Sequence, residues 1–576
     1  MNRRKTILGL LAIPLAAAGV TVAVSSANAQ PELSGSTVEY SVLAADGVNV
    51  KDAERAVRDA GGTVVRSNAA AGLITATAPA NGFTARLASV PSVLYTSRTI
   101  SIGQSPDAKR ARANEDSVEQ ENKQGANPSS RKDAKAPVGM DPLDGQLWGL
   151  TSIRADLART EQAGDKRVKV GILDTGVDGS HPDIAPNFDA ALSRNFTRDV
   201  PTDELGNQID GPCEFRGCVD PANWDDNGHG THVAGTIAAA ANGFGVSGVA
   251  PNVSIVNIRG GQDYGLFFLQ PVVDAITYAG DAGLDVINMS FYVDPWLYNC
   301  QSHPLDTPEQ SAQQRTVVTA VSRALKYAHR KGVTQLVALG NQHEDSGAPK
   351  TDKGSPNFPL GTNYDREIDN DTCLSMPVEG PHVLPVGSFG PSGAKADYSS
   401  YGTERISVSA PGGFFRDYFG TPAFRTNENM ILSTYPKNVG IAEGTIDADG
   451  NITPDGEELG VQKACMANGA CGYYQFIQGT SMATPHASGV AALIVSEFGK
   501  YSGKKVSMDP NKVERVLEGS AYAVPCPEPR TVDYLDEGRD DSYTATCEGT
   551  LEFNGFYGNG VVDAWNAVKN GKQYLR

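Results

Sequence analysis

The chain has 576 residues, of which 40% are hydrophobic and 20% charged, as in soluble globular proteins. It is too long for one small domain and long enough for a sizeable core with accessory parts. Its formal net charge of -18 favours solubility and argues against nucleic acid as the main partner.

The first residues have the three parts of an export signal. A basic start (Arg3, Arg4 and Lys5) precedes an apolar run from Ile7 to Val24, and the small residues Ala27-Asn28-Ala29 follow. The apolar run is nearly long enough to be a membrane anchor, which is the alternative. Because the small residues stand where signal peptidase cuts, we predict a signal peptide over residues 1–29, a secreted extracellular protein and no stable membrane anchor.

The cysteines agree with export. The chain has eight, an even number, which in a secreted protein predicts disulfides. Local pairing predicts Cys213–Cys218, Cys465–Cys471 and Cys526–Cys547, which leaves Cys300 with Cys373. The alternative is a zinc site, but the paired C-x-x-C spacing that such sites favour is missing.

The sequence pattern of residues 30–103 predicts a small α+β unit. Its apolar patterns give the order strand, helix, two strands, helix, strand, which is typical of a ferredoxin-like fold. Asn49 is the predicted cap of the first helix.

Residues 104–140 have a different composition. They contain almost no large apolar side chains, so we predict a disordered, charged linker that is open to proteolysis. Its basic residues are a solvated surface or, as the alternative, a binding patch.

Residues 141–576 predict a large α/β unit, because apolar runs of strand length alternate with amphipathic helical runs. The predicted strands are Val168–Leu173, Ser254–Ile258, Val286–Met289, Gln335–Leu339 and Val383–Val386. The predicted helices are His232–Ala240, Pro271–Ala282, Thr316–Lys331, Met482–Phe498 and Asn511–Gly519. Four long polar insertions, predicted to be loops around the cleft, interrupt the pattern at Asp199–Asp225, Trp296–Gln314, Gln342–Met376 and Phe414–Ala470.

Four stretches place chemically active side chains at the ends of these elements. Asp174 ends a strand in Gly171-Ile-Leu-Asp-Thr-Gly, and His229 opens a helix in Asp226-Asn-Gly-His-Gly-Thr-His. Asn341 ends a strand in Val337-Ala-Leu-Gly-Asn, and Ser481 opens a helix in Gln478-Gly-Thr-Ser-Met-Ala-Thr-Pro-His. An α/β sheet collects its site at the carboxyl ends of its strands, so we expect the four side chains to meet.

Acyl transfer requires these four side-chain types. A serine hydroxyl attacks a carbonyl when a histidine removes its proton, and a buried carboxylate fixes the tautomer of that histidine. The tetrahedral oxyanion needs donors, which the Asn341 amide and the Ser481 backbone N–H can supply. Pro485 cannot donate to the Ser481 carbonyl four residues earlier, so we expect that carbonyl to lack a partner within its helix.

These stretches resemble the signatures of the subtilisin-like serine proteases, the subtilases, and occur in the family's chain order of Asp, His and Ser. The resemblance covers about residues 141–568. It implies an α/β fold with a mostly parallel sheet and helices on both faces. It also implies Asp174, His229 and Ser481 as catalytic residues and Asn341 in the oxyanion hole.

The resemblance extends to residues 30–103, which look like the family's inhibitory propeptide and folding chaperone. The implied product is an autoprocessed zymogen that acts as a monomer on protein or peptide substrates. The junction between propeptide and mature chain lies between Gly103 and Met140. The resemblance leaves two alternatives, a catalytically inactive scaffold used for binding and a narrow-specificity processing protease.

The family's mode of substrate binding implies four further residues. An extended substrate pairs with a strand edge, here at Ser290, and the pocket wall includes Ala338, Leu339 and Gly340. This wall is apolar and implies an apolar or broad preference, although nearby acidic loops leave a basic preference open. Phe291 and Tyr292 stand where many relatives have glycine, so the pocket shape is not carried over.

No cofactor is required for this chemistry, and no metal ligand is predicted. Structural calcium is common in subtilases, so the resemblance leaves open whether this chain has a calcium site and where it lies. Asp447-Ala-Asp-Gly-Asn has some likeness to a calcium loop, but Ile452 stands where an EF-hand needs glycine, which favours a plain turn.

Overall fold

The computed structural model describes residues 37–99, 118–129, 140–201, 210, 213–348, 350–358, 362–503 and 505–575. The predicted signal peptide lies outside these residues. Within the described part of the chain, no helix combines the length and the hydropathy needed to cross a membrane.

The N-terminal unit is an antiparallel four-stranded sheet with two helices. In spatial order its strands are Thr63–Asn68, Leu73–Pro79, Thr37–Ala44 and Val93–Arg98, and its helices are Val50–Asp59 and Phe83–Leu87. This is the predicted ferredoxin-like order. Asn49 caps the first helix, because its side chain accepts a hydrogen bond from the Lys51 N–H.

The large unit is built on a seven-stranded parallel sheet. In spatial order its strands are Val408–Pro411, Val383–Phe389, Thr334–Ala338, Val286–Met289, Lys169–Leu173, Ser254–Arg259 and Arg194–Asn195. All five predicted strands are present, within two to three residues at their ends.

Helices cover both faces of this sheet, as predicted. His229–Ala238 and Thr480–Phe498 pack together on one face, and Leu269–Ala282 and Pro308–Arg330 pack together on the other. Successive strand residues supply the two cores, because Ile172 belongs to the first and Leu173 to the second. The remaining α-helices are Trp148–Ser152, Ala155–Ala158, Lys437–Glu443, Pro454–Glu458, Pro510–Ser520 and Ala564–Asn570.

The predicted loops contain more regular structure than their polar composition suggests. Within Phe414–Ala470, the strands Ile431–Tyr435 and Gln462–Cys465 pair with Cys471–Ile477 to form a separate antiparallel sheet. The prediction of a structureless loop is therefore wrong there. The other short strands are Asn299–Cys300, Lys350–Asp352, Arg366–Ile368, Cys373–Leu374, Lys500–Ser502, Lys505–Ser507, Thr531–Val532 and Ala545–Thr546.

The four predicted disulfides are all present. Cys213–Cys218, Cys300–Cys373, Cys465–Cys471 and Cys526–Cys547 leave no free cysteine, which removes the zinc alternative.

The N-terminal unit packs on the outer surface of two helices of the large unit. Asn68 donates to Asp274 over 2.8 Å and to Thr277 over 2.7 Å, and Arg66 pairs with Asp274 at 2.6 Å. Arg323 donates from the other helix to the first unit, so polar contacts reinforce an apolar interface.

Part of the predicted linker is folded against the large unit. Residues 118–129, here called the docked segment, contain a short 3₁₀ helix at Glu121–Gln124, and Glu121 is almost completely buried. For these residues the prediction of disorder is wrong. Their polar side chains find buried partners in the large unit, so the segment needs no apolar core of its own.

Candidate active site

Asp174 is held rigidly at the end of the strand Lys169–Leu173. Its side chain is fully buried, and its Oδ1 accepts from the Thr175 N–H over 2.8 Å. Its backbone carbonyl accepts from the amides of Gly260 and Gly261, each over 3.1 Å. Both the position and the orientation of the carboxylate are therefore fixed by backbone groups.

His229 is the first residue of the helix His229–Ala238, and the loop before it is clamped by Asp225. The Asp225 carboxylate accepts from the Gly228 and Thr231 amides, each over 3.0 Å, and from the Thr231 hydroxyl over 2.6 Å. Gly228 has φ 96°, a left-handed conformation that favours glycine. The clamp satisfies donors that a helix start would otherwise leave unpaired.

Asp174 and His229 are in direct contact. His229 Nδ1 lies 2.7 Å from Asp174 Oδ1, so Nδ1 is the donor and Nε2 faces the cleft. Burial opposes the charged imidazolium, but the nearby carboxylates of Asp174 and Glu119 outweigh it and hold the pKa of His229 well above its usual value.

Ser481 stands in the first turn of the helix Thr480–Phe498, where backbone N–H groups point towards the cleft. Its hydroxyl donates to the Ser290 carbonyl over 3.5 Å, and no hydrogen bond joins it to His229 among the described residues. The Ser290 hydroxyl donates in turn to the Ser481 carbonyl over 3.2 Å. The carbonyl that Pro485 cannot serve is thus bound from another element.

Asn341 is fixed against the same helix entrance. Its Oδ1 accepts from the Thr480 N–H over 2.9 Å and from the Thr480 hydroxyl over 2.8 Å, which leaves Nδ2 as the outward group. A β-carbon on Gly479 would lie 3.4 Å from Asn341 Nδ2 and 3.3 Å from Glu119 Oε1, and φ at Gly479 is 150°. Only glycine leaves this space open beside Ser481.

The docked segment lies in the cleft. Glu119 Oε1 is 3.5 Å from His229 Nε2, the ring nitrogen opposite the one that contacts Asp174. The Gln478 N–H donates to the Glu119 carbonyl over 3.0 Å, and the Gln478 side chain donates to the Val118 carbonyl over 2.9 Å. Val118 packs with a buried apolar cluster that comprises Ala396, Tyr398, Phe414 and Tyr534. The segment therefore lies against the Nε2 side of His229 and against Gln478, three residues before Ser481.

Further contacts extend along the docked segment. Asn122 donates to Asn427 over 3.0 Å, and Asn127 donates through its side chain to the Phe424 carbonyl over 2.7 Å. The charged composition of this stretch gave no sign of these contacts, because every partner is distant in sequence.

Two of the four predicted substrate-binding residues contact the entrance of the helix Thr480–Phe498. Ser290 contacts Ser481 directly, and Gly340 donates through its N–H to the Thr480 hydroxyl over 3.2 Å. Ala338 and Leu339 connect the end of their strand to Asn341. The neighbouring strand Val286–Met289 ends one residue before Ser290. Ser290 therefore lies just beyond the regular part of the strand edge that is predicted to pair with substrate.

Two aromatic residues follow this strand where many relatives have glycine. Phe291 stacks on Phe267 at 4.1 Å with nearly parallel rings, and the Tyr292 hydroxyl accepts from the Asn357 side chain over 2.8 Å. Both side chains therefore pack locally.

Two further histidines are buried and bond backbone carbonyls. His232 is buried and bonds the Ile431 carbonyl at 3.0 Å, and His486 bonds the Met482 carbonyl at 2.8 Å. Burial lowers the pKa of His232 to about 3 and that of His486 to about 4.

The Asp447 carboxylate accepts from the Asn451 N–H over 2.8 Å, which closes a plain turn.

One buried carboxylate cluster of the described residues has an arginine at its centre. Asp199, Asp220 and Asp263 group closely enough to hold a cation, but the Arg259 guanidinium donates to all three, at 2.9 Å to Asp199 and 2.7 Å to Asp263. Arg259 supplies positive charge within the cluster. A second group, Glu214, Asp220 and Asp226, is partly exposed.

The chain belongs to the subtilase family, whose sequence model matches residues 165–560. It is therefore a serine endopeptidase of the hydrolase class, and enzymes of this family need no cofactor for catalysis.

Among its relatives, subtilisin DY of Bacillus licheniformis is 29% identical over 62% of this chain and 88% of its own length. The major intracellular serine protease of Bacillus subtilis is 30% identical over 62% of this chain and 78% of its own length.

The solved structures agree on the fold. The epidermin leader peptide processing serine protease of Staphylococcus aureus has a TM-score of 0.58 and 20% identity, covering 92% of this chain and 98% of that one. Fervidolysin of Fervidobacterium pennivorans has a TM-score of 0.50 and 20% identity, covering 93% and 61%. At this identity the likeness concerns the fold alone.

Proposed function

We propose that the protein is a secreted serine endopeptidase that hydrolyses peptide bonds through an acyl-enzyme on Ser481. The observation that carries this proposal is the 2.7 Å contact between Asp174 and His229, beside the helix entrance that holds Ser481. The predicted signal peptide and the four disulfides support export.

In the first half of the reaction, Ser481 Oγ bonds to the peptide carbonyl carbon while its proton passes to His229 Nε2. Asp174 keeps Nδ1 protonated and stabilises the imidazolium that forms. The Asn341 amide and the Ser481 N–H donate to the oxyanion. The C–N bond then breaks, and the leaving amine takes the proton from His229.

In the second half, water replaces the amine. His229 removes a proton from the water as its oxygen bonds to the acyl carbon, and the C–O bond to Ser481 then breaks as the proton returns to Oγ. The product acid leaves and Ser481 is regenerated.

The proposed enzyme is made as a zymogen, and the contacts of its N-terminal residues support a closed form. The N-terminal unit acts as an intramolecular inhibitor, supported by its packing on the helices Leu269–Ala282 and Pro308–Arg330. The docked segment closes the cleft directly. Glu119 adds to the effect of Asp174 in raising the pKa of His229, which favours the protonated ring, and a protonated histidine cannot accept the serine proton.

Covalent labelling tests the catalytic assignment. A sulfonyl fluoride or organophosphorus reagent should label the processed protein on Ser481, and Ser481→Ala should remove both labelling and peptide hydrolysis. Correctly processed protein that hydrolyses nothing and takes no label would support the alternative of an inactive binding scaffold.

Autoprocessing is tested with the same variant. Ser481→Ala expressed alone should accumulate with the N-terminal unit covalently attached. If that variant is trimmed at the normal junction, another protease performs the maturation.

A second candidate is a processing protease that cuts one secreted precursor. The insertion Phe414–Ala470 favours it, because Phe424 and Asn427 of that insertion contact the docked segment beside the candidate active site. A similar fold belongs to a protease named for processing the epidermin leader peptide. Cleavage of many unrelated denatured proteins would contradict this narrow function and leave the general endopeptidase.

A further inference from the structure

A pocket beside the candidate nucleophile already holds a carboxylate. The side chain of Glu121 is 1% exposed and accepts from Arg416 Nε over 2.5 Å, from Arg539 Nη2 over 2.9 Å and from Gln478 Nε2 over 3.0 Å. Charged donors of this kind make the strongest carboxylate contacts in proteins. All three donors belong to the large unit, whereas Glu121 belongs to the docked segment.

The charge of the pocket depends on its occupant. Arg416 and Arg539 are 11% and 12% exposed, and Arg539 also pairs with the fully buried Asp397. Two guanidinium groups therefore face two carboxylates while Glu121 is present. Without Glu121 the two arginines retain Asp397 as their one carboxylate partner among the contacts described here, and the N–H groups that bonded Glu121 lose their acceptor. The vacated pocket should take up another anion.

Gln478 joins this pocket to the candidate active site. It is fully buried, lies three residues before Ser481, and its side-chain oxygen accepts from the Phe415 N–H over 2.6 Å. That bond does not involve the docked segment, so the position of Gln478 persists when the segment leaves. The neighbouring Arg416 donates to the Glu537 carbonyl, which likewise belongs to the large unit.

The direction of the docked segment indicates where a substrate would place its acid. Glu119 contacts His229, and Glu121 follows two residues later in the chain. A substrate that runs through the cleft in the same direction carries the corresponding side chain on the C-terminal side of the cleaved bond.

We propose that Arg416, Arg539 and Gln478 form a specificity subsite for an aspartate or glutamate side chain on the C-terminal side of the scissile bond. This inference rests on the proposed endopeptidase function. In the closed form, Glu121 of the same chain occupies the subsite and pairs with the two arginines until a substrate side chain replaces it.

Cleavage of matched peptides by the full-length protein after its own processing tests the subsite. Substrates should differ only by glutamate or glutamine at each position after the cleaved bond. At one of those positions glutamate should raise kcat/KM about tenfold or more, as expected for a charge-assisted pair of hydrogen bonds. Arg539→Gln should bring the ratio close to one. The matched control Arg216→Gln removes an exposed arginine outside the pocket and should leave the ratio unchanged.

A second measurement needs only the wild-type protein, in case the arginine variants fail to fold or mature. A synthetic peptide with the sequence of residues 118–129 should inhibit competitively, and its Glu121→Gln form should inhibit about tenfold more weakly. Equal inhibition by the two peptides, or cleavage with no acidic preference at any position, would overturn the subsite alone. Absence of both cleavage and Ser481 labelling would instead overturn the endopeptidase function together with its subsite.

Discussion

Ser290 and Ser481 exchange hydrogen bonds between their side chains and backbones. The Ser290 hydroxyl donates to the Ser481 carbonyl over 3.2 Å, and the Ser481 hydroxyl donates to the Ser290 carbonyl over 3.5 Å. The first bond serves a buried carbonyl that Pro485, which has no N–H, cannot serve. The second is long for a hydroxyl donor, so the Ser481 side chain is weakly held and can turn towards His229.

We expect Ser290→Ala to lower the free energy of unfolding by about 1–3 kcal/mol, because it leaves the Ser481 carbonyl buried without a partner. Denaturant unfolding of the variant measures this loss. Ser302→Ala, at an exposed position, is the control and should stay within about 0.5 kcal/mol of wild type. If the two variants are equally stable, the Ser290 bond contributes nothing.

Asn341→Ala should lower kcat by about 10²–10³ with little change in KM, the loss known for the corresponding donor in subtilisin, a member of the same family. Steady-state kinetics on one peptide substrate measures it. Because Asn341 also accepts from Thr480, Asn341→Asp serves as a partner variant that keeps the acceptor and loses the donor. Turnover close to wild type in either folded variant would exclude Asn341 from the oxyanion hole.

Glu119→Gln should lower the pKa of His229 in unprocessed protein, because one of the two carboxylates that raise it is neutralised. Histidine NMR in a Ser481→Ala background, which is expected to prevent processing, follows this pKa directly. Glu161→Gln, which removes a carboxylate from an exposed pair with Lys569, should leave it unchanged. An unaltered His229 pKa in Glu119→Gln would show that Glu119 does not act on the ring.

The same shift predicts how stability depends on pH. The folded pKa of His229 is raised, so its stabilising effect is complete below the unfolded pKa of about 6.5 and is lost as the pH rises through the folded value. The Ser481→Ala protein should therefore lose stability across that window. In Glu119→Gln the pH range over which stability is lost should be narrower. If the unfolding free energy of the two proteins depends on pH in the same way, this prediction is contradicted.

Loss of the Cys300–Cys373 bridge should cost more stability than loss of Cys465–Cys471. The bridges span 73 and 6 residues, for which loop entropy predicts about 4 and about 2 kcal/mol. Paired serine variants compared by denaturant unfolding test the order. A larger loss for the short loop would show that chain entropy does not dominate at these positions.

The sequence predicted the parts of the fold that depend on local periodicity. The strand Val286–Met289 and the helix that contains Ser481 follow directly from apolar patterns. The helix Pro308–Arg330 starts eight residues before the predicted Thr316, because its polar first turns have the composition of a loop, although Thr307 and Gln310 form a capping box.

The sequence motifs predicted only part of the site. The motifs indicated that Asp174 and His229 would meet, and the structure brings them together. Glu119 and Glu121 were not found, because their importance depends on His229, Arg416 and Arg539, each more than a hundred residues away. A carboxylate in a charged stretch has no sequence signal that distinguishes a buried ion pair from a solvated side chain.

The N-terminal unit and the docked segment are attached to the large unit through separate sets of residues. Asn68 holds the first on Asp274, whereas Glu121 holds the second on Arg416 and Arg539. A single cut between residues 99 and 118 would therefore let the N-terminal unit dissociate but would leave the docked segment covalently joined to the large unit, so the two would leave their sites at separate rates. The onset of activity would show a lag whose length is governed by the departure of the docked segment, even after the N-terminal unit has gone.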